Sequence, residues 1–379
     1  MHPMVKPALT RAWRDLQHVQ FGVAPAHAVV LGPVDTTTGS LIDLFDGTRG
    51  MPLLRAEARA LGVPEETVDA LVGRLARAGL LDDPACGGPE VEALRAREGV
   101  LDRLRADLAS LAVVHPEPGA GLRRLGARGA LRVQVRGAGR VGAAIAALLS
   151  GSGVGEVEVL DGGTAEPWDV APGGLPGEAV GERRSVAARR VVARAAPGRR
   201  PRSRAGERGE PERPLDLVVF APRDGLDAYA PDPGQAEPWI ASGTPHLYAG
   251  VVEATGVVGP LVLPGGTGCA ECVERARAER EPVWPVLRAQ WRSGRRRSVP
   301  ACDLALASTV AGTAAAHALA FLDGDLPDTV GARWEAALPL LDWRREAVAP
   351  HRDCACGAAG QTGREGTSRA GAPHDTMAG

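Results

Sequence analysis

One segment of this chain leaves little freedom in how it can fold. Residues 131–161 read LRVQVRGAGRVGAAIAALLSGSGVGEVEVLD. Leu131 to Val135 alternates apolar residues as a strand does, and Val141 to Leu149 is apolar enough for a packed helix. Between them stands Gly137-Ala138-Gly139-Arg140-Val141-Gly142, and Val157 to Leu160 forms a second strand ending at Asp161. Each glycine has a reason to be there. Gly137 permits a tight turn, Gly139 lets backbone approach a phosphate, and Gly142 lets the helix pack close to the strand. An acidic residue about twenty positions downstream is placed to accept from ribose hydroxyls, and Asp161 fills that place.

This order predicts a Rossmann-type α/β unit that holds a nucleotide through Gly137, Gly139, Gly142 and Asp161. The continuation narrows it. GEAVGERRSVAARRVV, PLDLVVFAPRD and TPHLYAGVVEATGVVGPLVLPGGTGCAEC follow in an order that resembles the ThiF/MoeB family, the fold of the ubiquitin-like-protein activating enzymes. The resemblance covers about residues 130 to 357. It implies a mostly parallel sheet, ATP and Mg²⁺ as cofactors, a homodimer, and adenylation of the C-terminal carboxylate of a small protein or peptide.

Residue by residue, the resemblance places Arg184 where the family has a phosphate-contacting lysine. It places Cys302, in SVPACDLALASTVAGT, where some relatives carry an acceptor thiol, with Arg295 to Arg297 nearby to favour the thiolate. A small buried core residue is the plainer reading of Cys302. Other positions depart from the pattern. In the loop GGTAEPWDVAPGG, Asp169 stands for an asparagine, and Pro172 and Gly173 for an arginine and a glutamine. Arg223, followed by Asp224, stands where a magnesium-positioning acid is expected. Adenylyl transfer depends on cations placed on the phosphates and on a held Mg²⁺, so these departures point to a degenerate adenylation site. The run Arg292, Arg295, Arg296 and Arg297 beside Trp291 reads as a solvated loop or as a grip for phosphates or an acidic peptide.

Cysteine spacing adds a metal site. Cys269-Ala-Glu-Cys272 and Cys354-Ala-Cys356 supply four thiolates, the donor set of a closed tetrahedral structural Zn²⁺ centre. Free thiols are the alternative, and His351 or Asp353 can replace a cysteine if the short second gap strains the chelate.

The first block, residues 1–85, reads as a small winged-helix domain of α+β type: HAVVLG a strand, TTTGSLIDLF a helix with a threonine N-cap, then a helix–turn–helix pair. In PEETVDALVGRLARAGLL, Val68, Leu71, Val72 and Leu75 share a face, and Gly79 suits a left-handed C-terminal position. Glu65 and Glu66 in its first turn meet phosphates badly, which argues against DNA. The block resembles the PqqD-like peptide-binding modules, in which a leader peptide adds as a strand to the sheet edge. Residues 86–129 read as a helical linker with a helix from Glu90 to Val113, residues 130–357 as the ThiF-like domain, and residues 358–379 as a disordered tail.

Together the two resemblances imply a protein similar to the leader-binding partner of azole-forming, YcaO-type cyclodehydratases, binding a precursor peptide. The alternative is a true activating enzyme whose partner is a small ubiquitin-like protein. A net charge of −2 calls for neither nucleic acid nor acidic membrane. The stretch Leu304 to Leu322 is long enough to span a membrane, but its Ser308, Thr309, Thr313 and His317 favour a buried core helix. The segment MHPMVKPALTRAW lacks the apolar stretch of a signal peptide, so a cytoplasmic protein with reduced thiols is expected.

Overall fold

The structure, a computed structural model, describes residues 1–198, 213–293 and 299–360. Two compact units account for them. One is built mainly from residues up to Leu131, and the other from Arg132 onward with excursions at Leu149–Glu156 and Ala195–Glu212 assigned to the first.

The first unit begins with strands β1 (Met4–Val5), β2 (Arg11–Trp13), β3 (Val19–Phe21) and β4 (Val29–Leu31). Helices α1 (Thr36–Asp43), α2 (Met51–Ala60) and α3 (Glu65–Arg77) and strand β5 (Leu81–Asp82) follow. β2, β3 and β4 form an antiparallel sheet with β2 and β4 at its edges, and β5 pairs with β1. The helix pair is where the pattern put it. Val68, Leu71, Val72 and Leu75 of α3 are buried against Phe21, Leu31, Phe45 and Leu54, and Gly79 takes φ +70°. The cap of α1 differs from expectation: Asp35, not a threonine, accepts from the Thr38 N–H at 2.7 Å. Strands β1 to β3 are too short to show periodicity, and the sequence pattern did not mark them.

Residues 86–129 fold into α4 (Pro89–Arg95), α5 (Val100–Arg103), α6 (Arg105–Val114) and α7 (Ala120–Arg128). Gly99, at φ +69°, interrupts the single helix expected over Glu90 to Val113. Val91, Leu94, Val100, Leu104, Leu122 and Leu125 give this segment a core of its own. Buried Lys6 ties it to the strands by donating to the His115 carbonyl at 3.1 Å, and Asp82 Oδ1 accepts from the Gly119 N–H at 2.8 Å.

The second unit is a seven-stranded sheet in the order β12-β11-β10-β9-β8-β6-β7. Its strands are β6 (Arg132–Arg136), β7 (Glu156–Leu160), β8 (Leu217–Phe220), β9 (His246–Val252), β10 (Thr255–Val262), β11 (Ala332–Ala337) and β12 (Arg344–Ala347). β6, β8 and β9 run parallel, as a glycine-turn α/β unit requires, and β9 to β12 add an antiparallel meander. The helices are α8 (Arg140–Gly151), α9 (Arg184–Ala195), α10 (Leu226–Tyr229), α11 (Pro233–Ser242), α12 (Ala270–Arg280), α13 (Trp284–Ser293) and α14 (Leu304–Leu322). α14 packs one face on β9 and β10 through Leu306, Val310, Ala314 and Ala318. Its other face, with Ser308, Thr309, Gly312 and Ala316, is exposed. It is therefore a half-buried helix of the α/β layer, and the only one among the described residues long and apolar enough to cross a membrane. Most of the Pro/Gly/Arg-rich stretch 197–214, Arg295 to Arg297 and tail residues 361–379 lie outside the described residues.

Candidate functional site

β6 leads through α8 to β7 on one side, while β8, its neighbour on the other side, continues toward β9. Such a reversal opens a crevice beyond the carboxyl ends of the strands. A cavity of about 1300 Å³ lies there. Gly137 after β6, Asp161 to Gly163 after β7 and Pro222 to Asp224 after β8 line it, with Trp284 and Trp291 of α13.

The glycine turn has the architecture its sequence implies. Gly137 adopts φ +115°, and a Cβ there would stand 1.9 Å from the Ala221 carbonyl oxygen. A Cβ on Gly142 would stand 2.1 Å from the Gly137 oxygen. Both positions are closed to any side chain by neighbouring backbone. Gly139 differs, because the group nearest it is the Arg223 side chain, 3.0 Å from where its Cβ would be. The backbone surface expected to face a phosphate is thus covered by an arginine.

That arginine belongs to a closed charge network. Arg223 Nε donates to Asp169 Oδ1 at 2.6 Å, and Glu166 N donates to Asp169 Oδ2 at 2.9 Å. Arg184 reaches Asp169 Oδ2 at 3.5 Å and donates through Nε to Asp161 Oδ1 at 3.0 Å. Asp161 also accepts from the Gly163 and Ala138 N–H groups, at 2.7 and 2.9 Å. Burial disfavours the Asp161 carboxylate, but Arg184 and the two backbone donors outweigh it and hold its pKa below the usual range. Asp161, Arg184, Asp169 and Arg223, separate in sequence, therefore neutralise one another.

The fit of Mg-ATP to this arrangement is poor. The carboxylate expected to meet a ribose already accepts three hydrogen bonds, and Arg184, expected on a phosphate, is spent on Asp161. Asp161 and Asp169 are both held by arginines, which leaves Asp224, on the crevice wall, as the nearby carboxylate without an ion pair among the described residues. One signal in the sequence pointed to this pairing: Asp169 and Arg223 are departures of opposite charge, and the structure joins them.

Arg295 to Arg297, the residues expected to favour a Cys302 thiolate, lie outside the described residues. Burial pushes the Cys302 thiol up to about 11, and Arg140, whose Nη1 donates to the Cys302 carbonyl at 2.8 Å, does not offset that. Arg292 is also engaged, donating to Asp232 at 2.7 Å and pairing with Asp227 at 2.8 Å, so it is not a free phosphate grip.

The four cysteines do converge. Cys269 caps α12 and Cys272 lies in its first turn, while Cys354 and Cys356 follow β12. Their sulfurs lie 3.8 Å apart for Cys269–Cys272, 3.7 Å for Cys269–Cys354 and 3.6 Å for Cys272–Cys356, with all four within 4.8 Å of one another. None forms a disulfide. Sulfurs about 2.3 Å from a tetrahedral ion stand about 3.8 Å apart, so the cluster fits a metal. The hydrogen bond from Cys269 pulls the Cys272 thiol down to about 4 while pushing Cys269 up, leaving one sulfur of the pair ready to ionise. His351 is not required as a ligand: its Nε2 meets Glu279 at 3.1 Å and its Nδ1 accepts from the Asp353 N–H at 3.1 Å.

A second group of residues escaped the sequence reading. Tyr229, Arg277, Trp284 and Arg333 gather in a smaller cavity, with the Arg277 guanidinium 4.6 and 4.7 Å from the Tyr229 and Trp284 rings. No spacing rule joins α10, α12, α13 and β11, and only the packed sheet brings them together.

Known proteins share this architecture. MccB from E. coli, solved with ATP, superposes with TM-score 0.66 at 15% identity, covering 94% of this chain and 99% of that one. A structure of the microcin C7 biosynthetic enzyme MccB with N-formylated MccA gives the same TM-score and identity, covering 94% and 100%. PaaA gives TM-score 0.64 at 16% identity, covering 91% and 99%. At such identities the likeness is one of fold. No curated protein matches the chain in sequence. The family model for the ThiF family, however, matches residues 118–358, spanning the glycine turn, the charge network and all four cysteines. With the α/β sheet, the crevice at the reversal of strand order and the cysteine cluster all within that match, this chain belongs to the ThiF family.

Proposed function

We propose that this protein binds a ribosomal precursor peptide through its leader and presents it to a partner cyclodehydratase of the YcaO type, rather than adenylating it. The observation that carries this reading is the Asp161–Arg184–Asp169–Arg223 network, which occupies with internal ion pairs the groups an adenylating site keeps for Mg-ATP. The likeness to MccB, solved with the MccA peptide, supports a peptide as the ligand class. The first unit offers the docking edge. β4 ends its sheet, Val30 is half exposed on it, and an extended leader can add there and rest on α3. The cysteine cluster holds Zn²⁺ in a structural role, tying the start of α12 to the segment after β12. The exposed small-residue face of α14 is the surface through which a homodimer forms, and the protein works in the cytoplasm.

The test is ATP–pyrophosphate exchange on the zinc-loaded protein, run beside leader-peptide binding by calorimetry. Leader binding that Val30→Asp abolishes, with no exchange above background, is the expected result. Exchange stimulated by a peptide or small protein and lost in Asp161→Ala overturns it. That outcome would establish the second reading, an ATP-dependent adenylyltransferase activating a C-terminus. Two observations favour that second reading: the crevice retains about 1300 Å³, and Arg223 Nη2 is buried with no partner among the described residues.

A further inference from the structure

The smaller cavity of the second unit, about 340 Å³, is lined by three arginines and three glutamates, and one of the arginines, Arg277, makes no ion pair among the described residues. Arg277 on its wall is only 7% exposed. Its guanidinium is sandwiched between the Tyr229 and Trp284 rings, and its one hydrogen bond to the protein runs from Nη1 to the Tyr229 carbonyl at 2.8 Å. The buried carboxylates nearest it pair with other cations. Glu274 pairs with Arg288 at 2.7 Å and accepts from Trp284 Nε1 at 2.9 Å. Glu335 and Glu346 pair with Arg333, and Glu346 also with Arg280. Among the described residues Arg277 has no counter-ion within ion-pair range. Burial and the neighbouring Arg333 push its pKa below the usual arginine range. Ring faces offset only a small part of a buried cation's desolvation cost. A cation left so is a binding site for an anion.

We propose that this cavity is a carboxylate subsite, in which the Arg277 guanidinium, held between the Tyr229 and Trp284 rings, receives a peptide carboxylate at its edge. The chemistry fits in three ways. The planar fork of an arginine matches a carboxylate in two hydrogen bonds. The two aromatic walls suit the aliphatic part of a residue, and the volume admits one residue but not a folded partner. Tyr229, Trp284 and Glu335 line both this cavity and the large crevice, so a chain lying in the crevice can place a carboxylate here. Glu281 is the one lining carboxylate without an ion-pair partner among the described residues; it is exposed and weakens the site. This inference rests on a peptide being the ligand, but not on leader docking at β4.

The experiment labels arginines of the full-length protein with phenylglyoxal and maps them by mass spectrometry, with N-acetyl-alanyl-alanine, its amide and N-acetyl-aspartyl-alanine amide as probes. Slower labelling of Arg277 with the free acid but not its amide supports a terminal carboxylate. Slowing by the aspartyl amide supports an acidic side chain. Equal labelling with all three probes overturns the subsite. Calorimetry with the free acid decides the case if Arg277 resists the reagent: Arg277→Gln should weaken binding by at least about tenfold. Glu281→Gln, a substitution at an exposed position, should tighten it about twofold. Absence of binding to both wild type and Glu281→Gln overturns the inference. Because these probes carry no leader, a failure here leaves leader binding at β4 untouched, and the reverse also holds.

Discussion

At the residue scale, the departures of this chain from its family pattern are not independent losses. Asp169 and Arg223 are each unfavourable alone, one a buried acid and the other an arginine against a glycine turn. Paired at 2.6 Å they satisfy each other. Removing one partner strands the other, so Asp169→Ala should destabilise the fold by about 3 kcal/mol, read as a drop in Tm. Asp161 gives a pH signature. Its folded-state pKa lies below the ordinary value of 3.8, so its contribution is fully present above that value and is lost as pH falls through the depressed one. Acid titration of stability in wild type and Asp161→Asn should therefore diverge above pH 3.8 and converge below it. The glycines separate by the same reasoning. Gly137→Ala meets the Ala221 backbone oxygen at 1.9 Å and should prevent folding, whereas Gly139→Ala meets Arg223 at 3.0–3.3 Å, a contact that a few tenths of an ångström relieve, and should fold with a lowered Tm.

At the element scale, the cysteine cluster decides where α12 begins. Cys269 is its N-cap residue and Cys272 lies within its first turn, while Cys354 and Cys356 fix the segment after β12. Removing the metal with a chelator should lower Tm and make residues 348–360 susceptible to protease, with Cys272→Ser giving the same pattern without chelator. Because α12 carries Arg277 and Arg280, loss of the metal should also weaken carboxylate binding, although no cysteine lines that cavity. α14 works differently. Its buried face is fixed by β9 and β10, and its outer face of Ser308, Thr309, Gly312 and Ala316 is smooth enough for close helix approach. Gly312→Arg should leave the fold intact and shift sedimentation from dimer to monomer.

At the scale of the whole molecule, the first unit offers an edge strand, to which we assign the proposed extended peptide, and the second an α/β crevice bordered by charges that pair with one another. The sequence by itself determined much of this. The glycine turn, its flanking strands and Asp161 specified the α/β unit, because each glycine answers a local steric demand that a reader of one segment can see. The Cys269–Cys272 and Cys354–Cys356 pairs specified the metal cluster, because thiol spacing of that kind has few other uses. The helix pair of the first unit was legible from the spacing of Val68, Leu71, Val72 and Leu75, whereas β1 to β3 were not, being too short for a period to register. Only the tertiary structure decided what the charged residues do. Arg184 and Arg223 look like phosphate ligands or losses when read along the chain, and Cys302 looks like a nucleophile. Packing pairs both arginines with carboxylates and half-buries the thiol. The reason is physical: backbone form depends on neighbours in sequence, but an ionisable group takes its role from whichever charges and surfaces the fold brings within a few ångströms of it, and for Arg277 those surfaces came from four separate elements.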